Sequence, residues 1–131
     1  MDRVKKQINW GDSFQEGLTG KGVGVAVLDT GVYLHEDIRG RVAAFCDMVR
    51  GKEEAYDDNS HGTHVCGIIG GNGAASEGRF QGMAPECSLI CVKVLDRKGN
   101  GYASDVLAGL RWVREHRSEY GIRIVNISVG P

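Results

Sequence analysis

The sequence predicts an α/β fold built on a mainly parallel sheet, and two patterns carry that prediction. Short continuous apolar runs, typical of strands that are buried on both faces, recur along the chain. Segments with helical character separate several of these runs, and such alternation is typical of a parallel sheet covered by helices. We expect about four strands and two main helices in a single domain that spans residues 1–131.

The first half of the chain contains two predicted strands and one short helix. Residues 23–29 form an apolar run that ends in a polar residue, Asp29, and residues 41–49 form a second strand candidate. Residues 61–70 are predicted to be a short helix with Asn59 or Ser60 as its N-terminal cap. Because sites gather at the carboxyl ends of parallel strands, Asp29 is the first candidate site residue.

The second half repeats the alternation. Residues 87–96 are a third predicted strand, and residues 104–117 have the helical period, with Val106, Leu110 and Val113 on one face. Ser104 is the predicted cap of that helix. Residues 122–130 are the fourth predicted strand. We expect either that this strand is an exposed edge of the sheet or that its neighbouring strand is missing from this sequence.

Charge balance and apolar patterning indicate which partners and which cellular location to expect. Lys and Arg number 16 against 17 Asp and Glu, so no charge excess indicates a nucleic-acid partner. No stretch approaches about 18 apolar residues, and we expect no membrane partner. The N-terminal segment lacks the apolar core of a signal peptide, which predicts a cytoplasmic location, although secretion by a separate route stays open.

The four cysteines are predicted to be reduced and mostly buried. Cys87 and Cys91 lie four residues apart on one predicted strand, about 13 Å, which is too far for a disulfide. A zinc site formed by Cys66 with His61 and His64 is the alternative, but the paired C-x-x-C spacing of structural zinc sites is missing.

Asp29 stands in the stretch "VLDTGV", and three chemistries use such an aspartate. The tripeptide Asp29-Thr30-Gly31 matches aspartic proteases, in which two aspartates share one proton. Those folds are nearly all strand, whereas residues 104–117 are strongly helical in pattern. A nucleotide site is a second alternative, but the glycines near this strand precede it instead of following it.

The third interpretation pairs Asp29 with His61. A histidine that acts as a general base needs a carboxylate to fix its tautomer and to stabilise its protonated form. His61 begins the predicted helix, whose dipole disfavours a positive charge and keeps the resting imidazole neutral. We expect His61 to be catalytic, and we expect His64 to be a core histidine.

Three motifs in register resemble those of the subtilisin-like serine proteases. They are "VAVLDTGV", "DDNSHGTHVCGIIGG" and "GMAPECSLICVKVLD", and the resemblance runs from about residue 8 to residue 131. The variant is most similar to bacterial leaderless or intracellular members. The resemblance implies a three-layer fold of the subtilisin type, of which the chain holds the N-terminal portion of the catalytic domain.

The resemblance also implies roles for particular residues. Asp29 would be the aspartate and His61 the histidine of an Asp/His/Ser triad that hydrolyses peptide bonds. An extended polypeptide substrate would lie along two edges, which consist of Gly99, Asn100 and Gly101 and of Ser128, Val129 and Gly130. No cofactor is required for the chemistry, but Asp37 matches a position that binds structural calcium in many members.

The family's nucleophile lies in a G-T-S-x-[AS] motif, and no serine of this sequence has those neighbours. We therefore expect the 131 residues alone to be inactive. Three explanations stay open: a fragment of a full protease, one half of a nicked or split protease, or a non-catalytic relic that binds or scaffolds peptides. The partner implied by the first two is the remainder of the catalytic domain, and an oligomer through an open sheet edge is also expected.

Overall fold

The computed structural model describes residues 2–128 and shows one parallel sheet of four strands. The strands are β1 (Gly24–Asp29), β2 (Val42–Asp47), β3 (Ser88–Lys93) and β4 (Ile122–Ile127), in the order β2-β3-β1-β4. All three pairings are parallel, and Asp29 of β1 lies beside Lys93 of β3. The predicted α/β class and parallel sheet are confirmed.

Four α-helices accompany the sheet. They are α1 (Asp2–Gln7), α2 (Trp10–Gln15), α3 (His61–Gly70) and α4 (Ala103–His116), and two single 3₁₀ turns cover Arg39–Arg41 and Ala74–Ser76. The bounds of α3 match the prediction. Neither α1 nor α2 was predicted, because six-residue helices show too little periodicity to be recognised.

The sheet lies between two helical layers, as predicted. On one face, Val25 and Val27 pack in a cluster with Cys66 of α3. On the other face, Ala26 and Leu28 pack in a cluster with Val113 of α4. This alternation follows from the two-residue period of a strand, and it explains why every residue of β1 is buried.

Element ends differ from the predictions by one to three residues. β2 ends at Asp47 because the Asp47 carboxylate accepts hydrogen bonds from the backbone N–H groups of Val49, Arg50 and Lys52, which turn the chain. The predicted cap of α4 was wrong: the capping position is Tyr102, without a side-chain hydrogen bond, and Ser104 lies inside the helix.

Two further observations concern the composition. Cys66, Cys87 and Cys91 are buried and Cys46 is half-buried, with all four present as free thiols, as predicted. Within residues 2–128, no helix combines the length and the apolar character needed to cross a membrane.

Candidate functional site

The candidate site lies at the carboxyl edge of the sheet, where β1 ends in Asp29. The Asp29 side chain is 1% exposed, and its Oδ1 accepts a hydrogen bond of 2.7 Å from the backbone N–H of Thr30. A buried carboxylate needs further donors, because burial without a partner is costly.

His61 supplies the next partner. Its Nδ1 lies 2.9 Å from Oδ1 and 3.1 Å from Oδ2 of Asp29, while 54% of the His61 side chain is exposed. Because a carboxylate accepts hydrogen bonds, this geometry assigns the proton of a neutral ring to Nδ1 and leaves the Nε2 lone pair free. The two residues singled out by the sequence are therefore in direct contact.

Close backbone packing brings α3 to β1. A Cβ at Gly62 would overlap the carbonyl oxygen of Gly31 and lie 3.0 Å from its nitrogen, so only glycine fits. The Gly62 N–H donates to Thr30 Oγ1 at 2.9 Å. Glycine at position 62 thus lets the first turn of α3 sit directly on the segment that carries Asp29.

Asp57 connects the segment after β1 to the start of α3 by hydrogen bonds, and the sequence analysis did not identify it. Its carboxylate accepts hydrogen bonds from Thr30 Oγ1 (2.8 Å), from the N–H groups of Asn59 (3.1 Å) and Ser60 (2.9 Å), and from both N–H (2.9 Å) and Oγ1 (2.6 Å) of Thr63. Burial opposes ionisation, but these donors outweigh it and lower the pKa of Asp57 to about 2.

The cap of α3 is therefore shared between two side chains. Asp57 accepts from N–H groups of its first turn, and Asn59 Oδ1 accepts from the His61 N–H at 3.1 Å. Ser60 occupies the capping position with a φ of 90° and no side-chain hydrogen bond. An aspartate three residues before the predicted cap was the signal that could have revealed this arrangement.

Lys93 is the second residue that the sequence analysis missed. It is 0% exposed, and its ammonium group donates to the carbonyl oxygens of Thr30 (2.6 Å) and Leu95 (2.7 Å) and to Asp58 Oδ1 (2.8 Å). It joins the chain after Asp29 to the loop that precedes His61. A lysine inside an otherwise continuous apolar strand was the available signal, since a buried ammonium group needs such partners.

The predicted substrate edge at Gly99, Asn100 and Gly101 forms the turn between β3 and α4. The turn is closed by Asp96, whose N–H donates to the Asn100 carbonyl at 2.7 Å. The three residues border a cavity of about 670 Å³ that is otherwise lined by apolar side chains of Leu95 and α4. Asn59 Nδ2 donates to the Arg97 carbonyl at 2.8 Å, which ties this turn to the start of α3.

The other predicted edge follows β4. The Ser128 N–H lies 3.4 Å from the Leu28 carbonyl, so Ser128 continues alongside the end of β1. Its hydroxyl accepts a hydrogen bond of 2.9 Å from Asn126 Nδ2. Val129 and Gly130, the remaining residues of this predicted edge, lie outside the described residues.

Two other residues were singled out in the sequence, Asp37 and His64. Asp37 precedes the 3₁₀ turn, and its Oδ1 accepts a hydrogen bond of 2.8 Å from the Ala75 N–H. The expectation that His64 is a core histidine was wrong, because His64 is exposed on the outer face of α3. Among residues 2–128, no group of three or more His, Cys, Asp or Glu side chains is arranged to hold a metal ion.

Comparison with known proteins shows that the chain is similar to proteases. The profile of the subtilase family matches residues 20–131. The serine protease AprX of Bacillus subtilis (strain 168) is 48% identical over 116 residues, covering 86% of this chain and 26% of that protein. A thermostable alkaline protease of Halalkalibacterium halodurans is 35% identical over 136 residues, covering 97% of this chain and 35% of that protein.

Solved structures agree with the sequence matches. A cold adapted subtilisin-like serine proteinase superposes with a TM-score of 0.66 at 37% identity, covering 75% of this chain and 34% of that one. Sphericase superposes with a TM-score of 0.74 at 32% identity, covering 86% and 38%. The chain therefore spans roughly a quarter to two fifths of these relatives. The matched proteins are subtilisin-like serine proteases, and the matches give no support to the aspartic-protease alternative.

Proposed function

Because the chain belongs to the subtilase family, we propose that it is the part of a serine endopeptidase that carries the catalytic aspartate and histidine. One observation carries the proposal: His61 Nδ1 lies 2.9 Å from the buried Asp29 carboxylate while the rest of the ring faces solvent. That is the arrangement a general base requires.

In the proposed mechanism, Asp29 holds the proton of the resting ring on Nδ1 and leaves Nε2 as the base. A serine hydroxyl gives its proton to Nε2 as its oxygen attacks the peptide carbonyl carbon. The imidazolium then passes that proton to the leaving amine, and water repeats the cycle on the acyl-enzyme. Asp29 stabilises the imidazolium in both steps without becoming protonated.

The proposed substrate is an extended polypeptide. Its backbone would pair with the turn that contains Gly99, Asn100 and Gly101 on one side and with Ser128, Val129 and Gly130 on the other. The hydrogen bond from Asn59 to Arg97 supports this, because it fixes the first edge relative to His61. The substrate-binding turn and His61 would then keep a fixed position relative to each other.

The nucleophile is proposed to come from the remainder of the catalytic domain, since no G-T-S-x-[AS] motif occurs among the 131 residues. Removal of the triad serine costs on the order of 10⁶ in turnover, a loss already measured in subtilisin, which is another subtilase. We therefore expect the isolated 131 residues to hydrolyse no peptide.

The test is labelling with a fluorophosphonate, which modifies only an activated serine. The purified chain and an extract of its source are treated, and labelled species are read by intact mass. A labelled species that is longer than this sequence, or that contains a second chain, is the expected result. The absence of label in both samples would favour the non-catalytic peptide-binding relic.

Variants of the labelled species test the proposed roles of Asp29 and His61. Asp29→Ala should lower turnover by about four orders of magnitude, as removal of the triad aspartate does in subtilisin, and His61→Ala should abolish labelling. His35→Ala is the matched control, since His35 is an exposed histidine whose ring Nδ1 accepts a hydrogen bond from the Asp37 N–H and not from the catalytic pair. Labelling that survives His61→Ala would contradict the assignment of the base.

A further inference from the structure

The loop of residues 70–82, which joins α3 to β3, raises a question about structural calcium. Family resemblance suggests a calcium ion at Asp37, which faces this loop. Calcium takes six to eight oxygen ligands, supplied by carboxylates, carbonyls and water. The fit can be tested by asking which oxygens near Asp37 are already bonded to protein donors.

Asp37 itself is largely occupied. Its Oδ1 accepts from the Ala75 N–H at 2.8 Å, and its carbonyl oxygen accepts from the Asn72 N–H at 3.0 Å and from Arg41 Nη2 at 2.7 Å. The carboxylate is bonded to the loop through the Ala75 N–H, and a cation bound to Oδ1 would have to displace that donor.

The interior of the loop is also bonded to itself. The Gly73 carbonyl accepts from the N–H groups of Ser76 and Gly78, at 2.9 and 2.8 Å. The Asn72 Oδ1 accepts from the Ala74 N–H at 2.9 Å. These oxygens already bind N–H groups, and no group of three or more His, Cys, Asp or Glu side chains among residues 2–128 is arranged to hold a metal ion, so the residues do not fit a calcium site.

A guanidinium group supplies positive charge where the loop begins. Arg41 donates from Nη1 to the Cys87 carbonyl at 2.9 Å and from Nη2 to the carbonyls of Asp37 and Gly70. These three oxygens belong to the segment before β2, the last turn of α3 and the residue before β3. The Gly70 carbonyl lies at the negative end of the helix dipole, where a cation is favoured.

An ammonium group supplies positive charge where the loop ends. Lys5 of α1 donates to the Gln81 carbonyl at 2.5 Å, and its Nζ lies 4.1 Å from the centroid of the Trp10 ring. Trp10 of α2 in turn donates from Nε1 to the Met83 carbonyl at 2.7 Å. The two N-terminal helices therefore hold the end of the loop and the residue after it through carbonyl oxygens.

We propose that Arg41 and Lys5 are built-in cations that hold the 70–82 loop in the role a calcium ion would otherwise have, so that this loop folds without calcium at Asp37. The cage around Arg41 consists of carbonyl oxygens from three separate segments, and an arginine side chain stays charged at every physiological pH. The device is independent of catalysis.

Thermal unfolding tests the proposal without any need for activity. The melting temperature of the chain should be the same in excess calcium and in excess chelator. Arg41→Ala should lower it by more than about 5 °C, and calcium should not restore it. Methylguanidinium should restore part of the loss, because it can refill the cage. Arg39→Ala, two residues earlier and exposed, is the matched control and should melt with the parent chain.

Calorimetric titration of the unaltered chain with calcium covers the case in which Arg41→Ala does not fold. The absence of binding heat, together with a lowered melting temperature for Lys5→Met, would support the proposal. A saturable calcium isotherm that disappears in Asp37→Asn, with a matching rise in melting temperature, would overturn it.

Discussion

Asp57 is held by five hydrogen bonds in its ionised form, and this predicts a pH-dependent contribution to stability. Its pKa falls from an ordinary value of 3.8 to about 2 because donors favour the carboxylate despite burial. A depressed folded-state pKa stabilises the fold above the unfolded value, and that stabilisation is lost as pH falls from about 4 towards 2.

Replacing Asp57 by Asn should therefore lower the free energy of unfolding by about 1–2 kcal/mol at neutral pH, after allowance for solvent screening. The difference in the free energy of unfolding between the parent chain and Asp57→Asn should become smaller as the pH falls from about 4 towards 2. Urea unfolding at a series of pH values measures it. An equal gap at neutral and acid pH would show that the charge is not the stabilising feature.

Lys93 is the second residue whose replacement should lower the stability of the chain. Lys93→Met would leave two buried carbonyl oxygens and the Asp58 carboxylate without their ammonium donor. Breaking a buried charged network by removing one partner costs about 3–5 kcal/mol. Chemical denaturation measures the loss, and Lys98→Met, at an exposed turn position, should change stability by less than about 0.5 kcal/mol. Equal stabilities for the two variants would contradict the role of Lys93.

At the scale of elements, α3 carries His61 and is positioned by close contact with the end of β1. Gly62→Ala should force the first turn of α3 away from Gly31 and separate His61 from Asp29, because the new Cβ overlaps a carbonyl oxygen. We expect a loss of more than about 2 kcal/mol, in the range of other overpacking changes. Differential scanning calorimetry measures the loss.

Gly67→Ala is the matched control for that prediction. Gly67 lies in the same helix, and a Cβ there would meet nothing within 4 Å. Alanine inside a helix is favoured over glycine by about 0.5–1 kcal/mol, so this variant should be slightly more stable than the parent. Two variants with the same loss would show that α3 tolerates no alanine at all, and the argument from close packing would fail.

The elements also show which structural features the sequence patterns can predict and which they cannot. β1 was predictable because all six of its residues are buried and its apolar run continues to Asp29, and β3 because residues 89–92 are apolar and buried. The contact of Asp29 with His61 was predicted from the need of a base histidine for a carboxylate partner, and it is present in the fold. Asp57 and Lys93 were missed because their roles depend on loop carbonyls and N–H groups that become neighbours only after the chain has folded.

The same limit explains two errors. His64 was expected in the core, but the buried face of α3 passes through Gly62, Cys66 and Gly70, which leaves His64 on the exposed side. Ser104 looked like a cap from its residue type alone, yet α4 begins one residue earlier. Local residue preference is too weak to fix either the rotation or the end of a helix without its packing partner.

At the scale of the whole molecule, the sheet ends in an exposed apolar strand. β4 pairs with β1, and in the described part of the chain its other side has no neighbouring strand. Ile124, Val125 and Ile127 are 53%, 41% and 40% exposed. An open edge with apolar side chains is a template for pairing with another strand, and we expect the 131 residues to associate through β4.

Val125→Lys tests that expectation, because a charged residue on an edge strand disfavours pairing with a second copy. The parent chain should show a sedimentation coefficient that rises with concentration, and Val125→Lys should shift the distribution towards the monomer. Leu18→Lys, at a position 63% exposed and outside the sheet, is the control and should associate like the parent. A parent chain that stays monomeric at all concentrations would show that β4 tolerates solvent. The open edge would then give no reason to expect a second strand beside it.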